Sequence, residues 1–173
     1  LQAVQMIYLS GQINKALACR PDVGYMLTPM IGNKPDMEGT LWAADTGCFN
    51  QPEAYNDEDY LAWLTVRAAF RKRCLFATAP DVVGDAKATL GLSLPMLPRI
   101  REEGFRAALV AQDGLEDIDI PWEAFDCLFM GGSTEWKLSE IAYQLAYEAD
   151  QRGKWVHQGR VNSSRRLKAA AVS

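Results

Sequence analysis

Residues 107–133 have the sequence AALVAQDGLEDIDIPWEAFDCLFMGGS, in which two short apolar runs each end in a polar or glycine-rich cluster. The runs Ala107–Ala111 and Cys127–Met130 are continuously apolar and do not alternate with polar residues. Such runs are typical of strands buried on both faces of a parallel sheet. The clusters that follow them predict a ligand site, because parallel α/β folds bind ligands at the carboxyl ends of their strands.

The same pattern recurs along the whole chain. Seven apolar runs predict strands at Met6–Ser10, Gly24–Thr28, Thr40–Ala44, Cys74–Thr78, Ala107–Ala111, Cys127–Met130 and Lys154–His157. Helical spacing of apolar residues predicts helices over Asp57–Arg73, Asp85–Glu103 and Thr134–Arg152, the second broken near Pro95 and Pro98. Asn56 is the expected N-cap of the first helix, and Gly153 the glycine that ends the third.

This alternation of strands and helices predicts one α/β domain over residues 1–173 with a parallel sheet. Polar clusters at several different strand ends favour a TIM-like (β/α) barrel, since an open sheet gathers its site at one switch point. A closed barrel of this kind has eight strands. A seventh helix is expected over Asn162–Val172, and we expect the eighth strand beyond Ser173.

Composition and charge narrow the function classes. The net charge of −4 argues against non-specific coating of nucleic acid. The four cysteines form no CxxC pair and His157 is the single histidine, so we expect reduced thiols, no metal and no other cofactor. No apolar run is long enough to span a membrane, and the first residues do not resemble a secretory signal, so we expect a cytoplasmic protein. Residues 151–173 hold basic side chains and no acid, which suits either a phosphate contact or a solvated helix face.

Two aspartates and a glutamine follow consecutive predicted strands. Asp45 ends the third run in WAADTGCFN, and Asp81 follows the fourth in FATAPDVVGD. Each is either a site carboxylate or a cap of the next turn or helix. Gln112 follows the fifth run, where an amide can both accept from and donate to a base edge, or can tie adjacent loops together.

The last two strand ends are rich in glycine. Gly131, Gly132 and Ser133 follow the sixth run, where a ligand could touch the backbone, or the chain could simply turn tightly into a helix. After the seventh run, we expect a phosphate contact from Gly159, Arg160, Asn162 and Arg165, or an ordinary helix start.

In order along the chain, the motifs ADTGCF, APD, AQDG and FMGGSTEWKLSE resemble those of the tRNA-guanine and DNA 7-deazaguanine transglycosylases. The resemblance covers roughly residues 6–173 and is strongest to the compact phage-type branch called deoxypurine-in-DNA protein A. It implies a pentosyltransferase that exchanges guanine in DNA for a 7-deazaguanine base such as 7-cyano-7-deazaguanine. The target guanine would be flipped out of the duplex or single-stranded.

The resemblance also implies roles for individual residues. Asp45 would be the catalytic acid/base near the leaving guanine, or would contact the base. Asp81 would accept hydrogen bonds from the N1–H and amino group of the base. Gln112 and the Gly131–Gly132 backbone would bind the carbonyl side of the base, and Ser133 would also contact the substrate. A further aspartate on the eighth strand would form a covalent glycosyl intermediate, as in retaining glycosyl transfer.

This chain departs from the family pattern in two respects. The nucleophile of the family has no counterpart up to Ser173, and the Cys-rich zinc motif of the tRNA enzymes has no counterpart either. DNA is therefore favoured over tRNA as the substrate. Two other functions remain open: a nucleoside-level glycosyl hydrolase or transferase, and a catalytically silent barrel that binds nucleic acid or a partner. A partner subunit or second copy could cover the open edges of an incomplete barrel.

Overall fold

The computed structural model describes residues 6–12, 16–17, 20–30, 38–48 and 52–161. These residues contain seven strands: β1 (Tyr8–Ser10), β2 (Val23–Leu27), β3 (Leu41–Ala44), β4 (Cys74–Thr78), β5 (Ala107–Ala111), β6 (Cys127–Met130) and β7 (Trp155–Gln158). The strands form one sheet in the order β1 to β7, and every neighbouring pair is parallel. All seven predicted strands are confirmed, each within two residues of its predicted bounds.

The sheet is curled rather than flat. Phe76 of β4 and His157 of β7 have ring centroids 5.2 Å apart, although two strands lie between them in the sheet. Neighbouring strands are about 4.8 Å apart, so three spacings in a flat sheet would separate these residues by roughly 14 Å. Consecutive strand order together with this curl is compatible with a TIM-like barrel and differs from a doubly wound sheet.

Each face of the sheet carries its own apolar core. The larger core lies between the sheet and the helices and includes Trp42, Leu64 and Ile100, all fully buried. A smaller core contains Phe76, Phe129 and neighbouring small residues on the concave face. All five residues of β5 are buried, as the uninterrupted apolar run predicts.

Four α-helices accompany the described strands: α1 (Asp57–Thr65), α2 (Ala86–Glu102), α3 (Thr134–Lys137) and α4 (Glu140–Gln151). The predicted caps are confirmed. The Asn56 side chain accepts hydrogen bonds from two N–H groups in the first turn of α1, and Gly153 has a φ of +71° after α4. None of the helices among the described residues is long and apolar enough to cross a membrane. The helix predicted over Asn162–Val172 lies outside the described residues.

Two predicted helices are each divided in the structure. The first ends at Thr65 and is followed by a 3-10 helix, Ala68–Arg73. Thr65 and Val66 are β-branched, and the Thr65 hydroxyl donates to the carbonyl of Leu61, which competes with continued helix formation. The helix predicted over residues 134–152 is interrupted because Ser139 caps a new helix, its hydroxyl accepting from the N–H of Ala142.

The predicted break in α2 is wrong, because the helix runs without interruption through Pro95 and Pro98. Both prolines lie on the exposed side of the helix. The carbonyls that lose a helical partner belong to Gly91 and Leu94, which are exposed as well, so water can bind them. On the other side, Met96, Leu97 and Ile100 are fully buried, and this packing outweighs the two missing hydrogen bonds.

An ion pair joins the strands at the amino-terminal edge of the sheet. Asp126, just before β6, binds Arg101 through both of its carboxylate oxygens, at 2.7 and 3.0 Å. The same carboxylate accepts from the N–H of Ala107 at the start of β5. Despite partial burial of the group, these donors hold the pKa of Asp126 below its ordinary value. Asp126 therefore fixes the edge opposite to the predicted site.

Candidate functional site

The predicted site residues within the described part of the chain lie at one edge of the sheet, where β3 to β7 end. Asp45, Gln112, Gly131 and Gly159 each come directly after a strand, and Asp81 lies three residues beyond β4. The strands are parallel, so their carboxyl ends meet at the same rim. This rim is the candidate site.

The Asp81 carboxylate receives a hydrogen bond at each oxygen. Its Oδ2 accepts from Nε2 of Gln112 at 2.6 Å, and its Oδ1 accepts from the thiol of Cys48 at 3.3 Å. Burial raises the pKa of Asp81, while Cys48, Gln112 and the positive charge of Arg160 act in the opposite direction. Burial outweighs these donors, so the pKa of Asp81 lies above its ordinary value.

The Asp45 carboxylate has a different environment. Its Oδ1 accepts from the N–H of Gly47 at 2.7 Å, and Gly47 takes a φ of +76° to make this turn. Burial raises the pKa of Asp45, and the negative charge of Asp81 raises it further. The predicted turn-cap role of Asp45 is thus confirmed. The Asp81 carboxylate is also close enough to affect the ionisation of Asp45.

Gln112 lies at the centre of the rim and is 2% exposed. Its Oε1 accepts from the backbone N–H of Gly84, in the loop after β4, and from that of Gly132, in the loop after β6. Its Nε2 binds Asp81. The contacts of Gln112 are those expected of a residue that ties adjacent loops together; contact with a base stays a prediction.

The glycines after β6 are required by packing. A Cβ at Gly131 would lie 2.7 Å from Val110, and one at Gly132 would lie 2.5 Å from Trp136. Their N–H groups are paired inside the protein, that of Gly131 with the carbonyl of Ala111 and that of Gly132 with Gln112. A ligand that binds this turn would therefore have to use other atoms.

Ser133 starts the short helix α3. Its hydroxyl accepts from the N–H of Trp136 and donates to Asp113, whose other oxygen accepts from the N–H of Ser133. Although some burial opposes the shift, these bonds to Ser133 lower the pKa of Asp113. The predicted substrate contact of Ser133 stays a prediction beside this structural role.

The predicted phosphate residues are described only in part. Gly159 donates its N–H to the carbonyl of Met130 and accepts from Nζ of the buried Lys137. Arg160 has a φ of +56°, and its guanidinium donates to the carbonyl of Gly132. Asn162 and Arg165 lie outside the described residues. Arg160 therefore lies over the rim, where its charge also affects Asp81.

Two site residues were missed from the sequence. Cys48 is buried beside Asp81, and burial together with the Asp81 charge raises the pKa of its thiol to about 11, so it remains an S–H donor. Lys137, the last residue of α3, is 7% exposed, and its Nζ donates to the carbonyl of Gly159 after β7. The only sequence signal for Cys48 is its position three residues after Asp45, and the motif that contains Lys137 gives no sign that its side chain is buried.

The rim brings several polar groups together at the strand ends. It offers two carboxylates of different environment, an arginine and several backbone groups. Among the described residues, no group of three or more His, Cys, Asp or Glu side chains could hold a metal ion.

Comparison with known proteins finds no matching family model, no matching curated protein and no matching solved structure.

Proposed function

We propose that this protein is a guanine transglycosylase that exchanges guanine in DNA for a 7-deazaguanine base. The observation that carries the proposal is the pair of partly buried carboxylates at one rim, Asp45 and Asp81: burial raises the pKa of both, while their other neighbours differ. When two carboxyl groups lie in different environments, one can act as the proton donor and the other as the hydrogen-bond acceptor.

Asp45 suits the role of general acid. Its pKa is raised by burial and then by the charge of Asp81, so it holds a proton more readily than an exposed aspartate does. In the proposed reaction, Asp45 protonates the guanine as the bond between the base and the sugar breaks. It then accepts a proton from the incoming deazaguanine.

Asp81 suits recognition of the base. Guanine presents two adjacent donors, N1–H and the 2-amino group, and one carboxylate can accept both. Each Asp81 oxygen has one protein donor, and a carboxylate has about four acceptor positions in all, so room remains for the base. Arg160 lies on the same rim with a charge suited to a neighbouring phosphate.

The same proposal includes an eighth strand that closes the barrel and carries the nucleophilic aspartate. That aspartate would attack the anomeric carbon as guanine leaves, and the incoming base would displace it, which retains the configuration of the sugar. Base flipping or a single-stranded substrate is required, since a stacked guanine cannot reach the rim.

The test is a base-exchange assay with DNA that carries radiolabelled guanine, in the presence of 7-cyano-7-deazaguanine. We expect release of labelled guanine by a wild-type protein that includes the proposed eighth strand, and none by its Asp45→Asn variant. The matched control is Asp150→Asn, an exposed aspartate of α4, which should keep the wild-type rate. If the wild type binds guanine but does not exchange it, the protein is a binding module and not a transferase. If it shows no binding and no exchange, the proposal is refuted.

A further inference from the structure

The orientation of the Gln112 amide is determined by its neighbours. Its oxygen faces two backbone donors, the N–H groups of Gly84 at 2.9 Å and Gly132 at 3.0 Å, and its nitrogen faces an Asp81 oxygen at 2.6 Å. Rotating the amide by 180° would place its NH2 group against two N–H donors and its oxygen against a carboxylate. Only one orientation satisfies all three neighbours.

This orientation leaves little of Gln112 for a ligand. Both acceptor positions of the oxygen are filled by backbone N–H groups, and an amide hydrogen is held by Asp81. If the oxygen turned to a base, the N–H groups of Gly84 and Gly132 would lose their partner in a buried place. The side chain is placed to act on Asp81.

The other oxygen of Asp81, Oδ1, has a donor of its own. The Thr46 hydroxyl donates to the sulfur of Cys48 at 3.0 Å, and the Cys48 thiol donates to Oδ1 of Asp81. The charged groups that act on Asp81 are Asp45, which has the same sign, and Arg160, which has the opposite sign. Gln112 and Cys48 therefore fix the plane of the carboxylate between them.

We propose that Gln112 is a positioning residue: its amide N–H orients the Asp81 carboxylate for the base, while its oxygen ties the loops after β4 and β6. The benefit to base recognition rests on the proposed function. The effect on Asp81 itself does not, because it follows from the 2.6 Å contact alone.

Gln112→Glu is the decisive variant, since it has the same shape and changes the atom that faces Asp81 from a donor to an oxygen. One oxygen remains for Gly84 and Gly132, so the loops stay joined. At pH 7 two carboxylates then face each other, and we expect a higher pKa for Asp81 and at least about tenfold weaker binding of guanine. As the pH falls toward 5, one proton shared by the two carboxylates restores the hydrogen bond, so the variant should regain affinity while wild type does not.

Two measurements separate this inference from the proposed function. Carboxyl ¹³C NMR follows the titration of Asp81, assigned with Asp81→Asn, and calorimetry follows guanine binding at pH 5 to 8. Gln144→Glu, on the exposed side of α4, is the matched control and should change neither. If wild type binds no guanine, the proposed function fails, and the NMR titration still tests the positioning role.

An unchanged Asp81 titration in Gln112→Glu would overturn the inference. A loss of guanine affinity that is equal at every pH, with an unchanged titration, would assign Gln112 to direct contact with the base instead. If Gln112→Glu does not fold, Gln112→Met removes the donor without adding a charge. It should also raise the pKa of Asp81, and a wild-type titration in that variant would overturn the inference equally.

Discussion

Acidification should destabilise this protein through its single histidine. His157 lies on the concave face, with ring centroids 5.2 Å from Phe76 and 4.7 Å from Phe129. Burial, with a smaller contribution from the Lys137 charge, lowers the pKa of His157 from 6.5 to about 4. The folded protein thus binds this proton less readily than the unfolded chain does.

The sign and size of the effect follow from linkage. A histidine with a lowered pKa contributes full stability above pH 6.5, and this contribution is lost as the pH falls toward 4. The difference in pKa corresponds to a limit of about 3 kcal/mol, of which about 2 kcal/mol is lost between pH 8 and pH 5. Because part of the His157 surface is accessible, we take about 2 kcal/mol as the upper value at pH 5.

Urea unfolding of wild type and His157→Phe at pH 8, 6 and 5 measures this effect. Phenylalanine keeps a ring between Phe76 and Phe129 but does not titrate. Other groups, including Asp45 and Asp81, titrate in both proteins, so the difference between the two pH profiles isolates His157. The imidazole signals of this one histidine in NMR report its pKa directly. Equal losses of stability in both proteins, or an imidazole that titrates near 6.5, would refute the reasoning.

Two further predictions concern stability. In thermal unfolding, Gly132→Ala should destabilise the protein by at least about 2 kcal/mol, because the φ of Gly132 is +57° and the added Cβ would lie 2.5 Å from Trp136. The control is Gly91→Ala on α2, where a Cβ meets no atom within 4 Å, and this variant should be neutral or slightly stabilising. Asn56→Ala should lower the free energy of unfolding by about 1 kcal/mol in urea, since α1 loses its side-chain cap, whereas Asn56→Asp should retain most of it.

The strands were predictable because their sequence signal is local. Runs such as Ala107–Ala111 are apolar at every position, and burial on both faces of a parallel sheet requires this. The helix interruptions were missed because they depend on competition between neighbouring groups. Ser139 can lie within a helix or cap one, and the continuity of α2 through Pro95 depends on which side of the helix faces water.

The candidate site was predictable in its location and less so in its contacts. The rule that strand ends converge placed Asp45, Asp81 and Gln112 at one rim, and the structure confirms that placement. The hydrogen bond from Cys48 to Asp81 joins residues 33 positions apart. Such a contact depends on how the loops after β3 and β4 are placed relative to each other in space. The spacing of residues along the sequence does not determine that placement.

Different side-chain hydrogen bonds hold the sheet together at the two ends of its strands. Asp126 joins the starts of β5 and β6 to Arg101, whereas Gln112 joins the loops at the finish of β4 and β6. The paired strands lie between the contacts of Asp126 and those of Gln112. A substitution at one of these residues therefore need not disturb the contacts of the other. The loops at the carboxyl ends of the strands can therefore change and alter ligand preference, while the contacts at the amino-terminal ends continue to stabilise the fold.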